Sequence, residues 1–149
     1  MRKGITDDFA AAAAVLDQCD VLHLAFADAA GPHAVPVNFA RRGRTILIHS
    51  SFKGRKAEAL SAGAAVAVSA VARAELRTGE KACQYGYRFA SAVGHGRARR
   101  VDGEAERRAA LELIIQRYAK GLPPVDEAIL AKTALFAIDL DDLCARVRD

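Results

Sequence analysis

No stretch of the 149-residue chain approaches the eighteen or more uninterrupted apolar residues that a membrane-spanning helix needs. The amino terminus is unlike a signal peptide. Met1-Arg2-Lys3 is basic, but Asp7 and Asp8 interrupt any apolar core, and Ala10 to Leu16 is too short and too alanine-rich to supply one. A cytoplasmic protein is the expectation. Cysteine is scarce: Cys19, Cys83 and Cys144 stand more than sixty positions apart, with no CxxC or CxxH spacing. That excludes a local zinc motif and gives no sign of a disulfide framework. The four histidines are scattered as well, and no two have the spacing of ligands on one helix, so no metal is expected. The most informative shortage is of negative charge. From Ala29 to Ala57 there is no acidic residue, while the same window holds Arg41, Arg42, Arg44, Lys53, Arg55 and Lys56. Solvated surfaces usually mix signs, so this window points to an anionic partner: nucleic acid, a phosphorylated cofactor or an acidic small molecule.

What is present reads as one globular domain spanning residues 1–149. Hydrophobic residues make up 52% of the chain and charged ones 27%, enough for a real core. Thr6-Asp7-Asp8 resembles a helix start, opening an alanine-rich helix to about Gln18. Strands are expected over Val21–Ala27, His33–Ala40 and Thr45–His49, with turns at Asp28–Pro32 and Arg41–Arg44. A short helix over Phe52–Ala62 follows, with Ala57, Leu60 and Ala64 as its buried stripe and Gly63 as its end. Long strands are expected over Ala65–Leu76 and Tyr85–Val101, where Gly86, Gly94 and Gly96 allow a bend or a close approach. A helix to about Lys120, a short helix at Val125–Ala131 and a last strand at Ala134–Leu140 complete the pattern. Five or six mostly sequential strands with interspersed helices make an α+β fold around a closed or nearly closed antiparallel barrel.

The chemistry concentrates in "TILIHSSFKGRK", Thr45 to Lys56. If a helix opens after Ser50 or Ser51, its cations sit at the end where the helix dipole disfavours them. A bound phosphate would reverse that sign: Ser50 and Ser51 offer hydroxyls, Arg55 a planar fork and Lys56 a compact charge. The alternative is a solvated basic face with Ser51 as a cap. His49 reads as structural or as pocket-lining, and His33 as a turn residue beside Pro32. In "VPVNF", alternation puts Val35, Val37 and Phe39 on one face, with Pro36 and Asn38 on the other. Pro36 leaves backbone groups unpaired, and Asn38 is available to a ligand. Arg41, Arg42 and Arg44 form a turn that could hold a second phosphate or simply be solvated. Nucleic-acid binding would favour aromatics interleaved with the basic residues, and only Phe39 and Phe52 occur there, both suited to a core.

"GPHAVPVNFARRGRTILIHSSFKGRKAEAL" resembles the signature half of the flavin-binding split-barrel proteins, the pyridoxamine 5′-phosphate oxidase-like superfamily. The nearest branch is the nitroimidazole-resistance (Nim-type) proteins, through Gly31, Pro32, Val35, Pro36, Phe39, His49, Ser50, Gly54, Arg55 and Lys56. "FASAVGHGRARRVDGEAERRAAL" is similar to a second block of that branch, through Phe89, Ser91, Gly94, Gly96, Ala98, Val101 and Glu106. Ala92 and Phe89 depart from the usual valine and hydroxylated aromatic. The resemblance implies a six-stranded split β-barrel and a homodimer with FMN at the subunit interface. By position, Arg55 and Lys56, with Ser50 or Ser51, would hold the FMN phosphate. His49 and the Val35-Pro36-Val37-Asn38 backbone would run along the isoalloxazine ring, and Ser91 would come from a neighbouring strand. It further implies an oxidoreductase passing electrons from NAD(P)H to a small acceptor, with no catalytic residue marked. A deazaflavin-dependent reductase and a non-catalytic flavin or haem carrier are the alternatives within the same fold.

Overall fold

The computed structural model describes residues 4–149. Its elements, in order, are β1 (Ile5–Thr6), α1 (Phe9–Leu16), β2 (Leu22–Asp28), β3 (Gly31–Val37), β4 (Ala40–Arg42), β5 (Thr45–Ser50), α2 (Arg55–Ser61), β6 (Ala65–Arg77), β7 (Gly86–Arg100), α3 (Glu104–Tyr118), α4 (Glu127–Lys132) and β8 (Ala134–Arg148). A 3-10 turn at Ala82–Gln84 lies between β6 and β7. All strand pairs are antiparallel, in the order β3-β2-β6-β7-β8-β5-β4, with β1 on the far part of β8. The fold is the expected α+β split barrel. Its eight strands are the expected six plus the two-residue β1 and the three-residue β4, each too short to show an alternation in sequence. No described helix is long and apolar enough to cross a membrane.

The order of the sheet creates a seam. Its two end strands, β3 and β4, are consecutive in the chain and separated only by Asn38 and Phe39. The edges of the curled sheet therefore meet at that two-residue link. Phe39 is fully buried there. Its backbone N–H donates to the Tyr118 hydroxyl at 3.1 Å, and that hydroxyl donates to the Asp20 carbonyl at 2.8 Å. The Arg117 guanidinium lies over the Phe39 ring, 4.3 Å from its centroid. The end of α3 thus fixes the seam from outside.

Two cores result from the period-2 pattern. Leu22, Leu24, Phe26, Ile46, Ile48, Val66, Val68, Phe136 and Ile138 point into the barrel, with α1 packed on them. The alternate residues Leu47, Leu135 and Ala137 point outward and are covered by Leu111 and Ile114 of α3 and Leu130 of α4. So β5 and the first half of β8 are buried on both faces. The outward faces of β6 and β7 contrast with them, since Val71 and Val93 stay 54% and 44% exposed.

Two irregularities shape the long strands. Between His95 and Gly96 the register on β8 jumps from Asp142 to Leu140, so Asp141 is an extra residue. The bulge switches the inward-facing parity of β8 from Phe136, Ile138 and Leu140 to Leu143 and Ala145. Gly94 and Gly96 permit the contact. A Cβ at Gly96 would lie 2.2 Å from the Asp139 carbonyl oxygen, and one at Gly94 2.7 Å from that of Asp142. A second shift lies between Val71 and Arg73 of β6.

Candidate functional site

The basic window does not present its charges as the sequence suggests, because acids outside the window reach two of them. Arg41 pairs with Asp17 through both carboxylate oxygens and donates to the Gly43 carbonyl at 2.6 Å. Arg44 donates to the Asp141 carbonyl at 2.7 Å and stacks 4.0 Å over Phe9. Those two arginines brace the β4–β5 turn against α1 and β8, leaving the exposed Arg42 as the turn's solvated cation. Phe52, expected in the core, is 44% exposed, with Arg100 5.5 Å over its ring.

Arg55 is tied down most thoroughly. Its Nε donates to Asp28 Oδ2 at 2.6 Å and its Nη2 to Asp28 Oδ1 at 2.8 Å. Nη2 also donates to the Gly31 carbonyl at 2.8 Å, and Nη1 faces His33 Nδ1 at 3.2 Å. Four of its five N–H groups are therefore engaged. The pairing holds the Asp28 carboxyl below the usual carboxylate range, chiefly through the side-chain hydrogen bond from Arg55. Asp28 is the last acid before the acid-free window, and the turn it belongs to carries it back to the window's far end.

The helix start also differs from the sequence expectation. α2 begins at Arg55 rather than Phe52, after Gly54 at φ 106°, a value that favours glycine. Ser51 does not cap it, because its hydroxyl donates to the Lys53 carbonyl at 2.8 Å. Lys53 lies outside the helix, and Asp28 rather than the helix dipole answers the charge of Arg55. Lys56 is different. Among the described residues no carboxylate lies within ion-pair distance of it, and burial pushes its pKa down. Burial and the charge of Lys56 together lower that of His49.

Around these residues an open cleft of about 470 Å³ is lined by His33, His49, Ser50, Ser51, Lys53, Gly54, Arg55 and Lys56. A hollow of about 240 Å³ adjoins it, lined by Pro36, Val37, Asn38, His49 and Lys56. His49 and Lys56 belong to both, so the two form one site running from the start of α2 to the barrel seam. Such sizes fall around the range of small-molecule clefts.

Of the residues the sequence marks, Pro36, Val37, Asn38, His49, Ser50, Ser51, Arg55 and Lys56 come together here. Pro36 and Asn38 are exposed as alternation requires, while the Val37 side chain is buried and Val35 packs against the core. Val35 and Ser91 do not line the cleft. Ser91 sits on the outward face of β7, between Val71 of β6 and Arg146 of β8. Two residues of the site go beyond the sequence reading: His33, at the start of the expected strand and beside the Pro32 turn, lines the cleft from β3, and Asp28, a turn residue by its chemistry, grips Arg55. The position of Asp28 at the border of the acid-free window was the available signal.

The sequence model of the pyridoxamine 5′-phosphate oxidase family matches residues 8–147. The chain belongs to that family. No curated protein matches its sequence. Among solved structures it is similar to a candidate 5-nitroimidazole antibiotic resistance protein from Bacteroides thetaiotaomicron, with TM-score 0.83, 24% identity, and 96% and 86% of the two chains covered. It is also similar to a FAD- and haem-binding protein from Mycobacterium smegmatis, with TM-score 0.87, 22% identity, and 99% and 74% covered. The flavocytochrome Anf3 from Azotobacter vinelandii gives 0.85, 23%, and 98% and 70%. At these identities the structural likenesses establish the fold, and the family assignment rests on the match across 8–147.

Proposed function

We propose that the cleft binds FMN and that the protein is an oxidoreductase passing electrons from NAD(P)H through it to a small acceptor. The observation that carries this reading is Lys56: a partly buried cation with no carboxylate partner among the described residues, shared by both halves of a seam cleft in a chain of this family. A partly buried ammonium without a counter-ion is disfavoured, and a phosphate supplies that counter-ion with acceptor oxygens as well.

The residues fit such a group with a changed division of labour. Lys56 supplies the principal charge, Ser50 and Ser51 the neighbouring hydroxyls, and Lys53 a solvated charge at the rim. Arg55, largely consumed by Asp28 and Gly31, contributes a braced wall. Pro36 and Asn38 would offer the seam edge to the flat ring system, and His49, which lines both halves of the cleft, would contact the bound cofactor. When bound, the isoalloxazine supplies the redox chemistry, and the protein supplies binding, orientation and hydrogen bonds.

A homodimer belongs to the same proposal. Leu76 and Tyr87, a cross-strand pair, are 60% and 54% exposed, and Val71 and Val93 continue the outward apolar face. Ser91 lies on this face, so a second copy packed there would cover it. The visible spectrum of the purified protein, and of the apoprotein titrated with FMN, deazaflavin and haem, tests the cofactor. Saturable FMN binding followed by bleaching with NADPH or NADH supports the reading. Haem or deazaflavin binding without FMN binding overturns it. A bound FMN that neither nucleotide bleaches leaves a carrier instead of an enzyme.

A further inference from the structure

We propose that His33 is a ligand-binding residue of this cleft, locked by Arg55 into one tautomer so that its Nε2–H donates to the bound anion. The inference rests on the proposed reading of the cleft as a phosphate site and names a donor that this reading lacks. Arginine nitrogens only donate, so the 3.2 Å contact between Arg55 Nη1 and His33 Nδ1 requires an unprotonated Nδ1. In the neutral ring the proton then sits on Nε2. The ring cannot swing freely, because it packs edge-on against Phe26, with centroids 5.4 Å apart and planes at 60°. Phe26 is buried in the barrel and Arg55 is gripped by Asp28, so both walls holding the imidazole are fixed. The half-buried ring nevertheless lines the cleft together with Ser50, Ser51 and Lys56. Arg55 has spent all but one of its donors on the protein, and its influence on an anion passes through His33.

Two substitutions separate this role from a structural one. His33→Asn keeps an oxygen acceptor near the Nδ1 position but has nothing at Nε2. His33→Gln can place an amide donor near Nε2. With both variants folded by circular dichroism, the ratio of riboflavin to FMN dissociation constants should fall roughly tenfold in His33→Asn. It should stay near wild type in His33→Gln. In ligand-free protein labelled with ¹⁵N-histidine, His33 should show Nε2–H and unprotonated Nδ1, and added inorganic phosphate should shift that Nε2–H signal. An Nδ1–H tautomer, no shift with phosphate, or equal ratios in the two variants would overturn the assignment. Should flavins not bind while phosphate still shifts His33, the flavin reading fails and the anion donor stands.

Discussion

Asp28, the last residue of β2, holds Arg55, the first residue of α2, by two hydrogen bonds of 2.6 and 2.8 Å. The pair joins the tip of the β2–β3 hairpin to the turn that carries the cleft. Its side chains are 27% and 35% exposed, so solvent screens it partly, but the fork-on-carboxylate geometry makes it specific. Asp28→Asn should lower the melting temperature at neutral pH. Because the folded-state pKa of Asp28 is depressed, the stabilisation is complete above the ordinary aspartate range of about 3.9 and disappears as pH falls through the lower folded value. The gap between wild type and variant should stay constant above that range and close below it. A gap that widens in acid would contradict the pairing.

Lys56 should cost the free protein stability. Burial depresses its pKa, so the folded state disfavours the charged form, and this penalty is relieved as pH rises through the depressed value. Lys56→Met should therefore raise the melting temperature of ligand-free protein while weakening phosphate binding. Anion binding should favour the protonated forms of both Lys56 and His49. Calorimetry in buffers of different ionisation enthalpy should show proton uptake on FMN binding at mildly alkaline pH. Proton release would argue against these two groups as the anion's neighbours.

The seam depends on Tyr118. Its hydroxyl accepts from Phe39 N–H and donates to the Asp20 carbonyl. Tyr118→Phe should cost about 1–2 kcal/mol by chemical denaturation, since a partly buried N–H loses its partner. Hydrogen exchange at Phe39 should accelerate selectively. Unchanged protection there would mean that α3 does not secure the β3–β4 link.

Gly96 tests the bulge. Its missing side chain lets β8 approach until the Asp139 carbonyl would sit 2.2 Å from an added Cβ. Gly96→Ala should destabilise by about 3 kcal/mol, because backbone and not a flexible side chain must move. At Gly86 an added Cβ meets nothing within 4 Å, so Gly86→Ala serves as the near-neutral control. Similar losses in both would show that the β7–β8 approach is not tight.

The barrel was legible wherever alternation was clean, as in Leu22–Phe26 and Ile46–Ile48. It failed at Leu140, where the strand seemed to end. The extra Asp141 reverses the inward parity, so the continuation through Leu143 and Ala145 to Arg148 reads as broken pattern. The site was legible as residue types but not as charge balance. Acid-free sequence is not acid-free space: Asp17 and Asp28 return to the window through the fold and occupy Arg41 and Arg55. Which of two adjacent cations stays available, Arg55 or Lys56, depends on a pairing 27 positions apart that no local pattern displays.

The most direct test of the central claim compares affinities for FMN and riboflavin, which differ only in the phosphate, in wild type and Lys56→Met. Wild type should prefer FMN by at least about tenfold, as expected for charge-assisted hydrogen bonds to phosphate. Lys56→Met should lose at least about tenfold of that preference while keeping wild-type affinity for riboflavin. Equal affinity of wild type for the two flavins, or an FMN preference undiminished in Lys56→Met, would contradict the assignment of Lys56 as the phosphate's counter-ion.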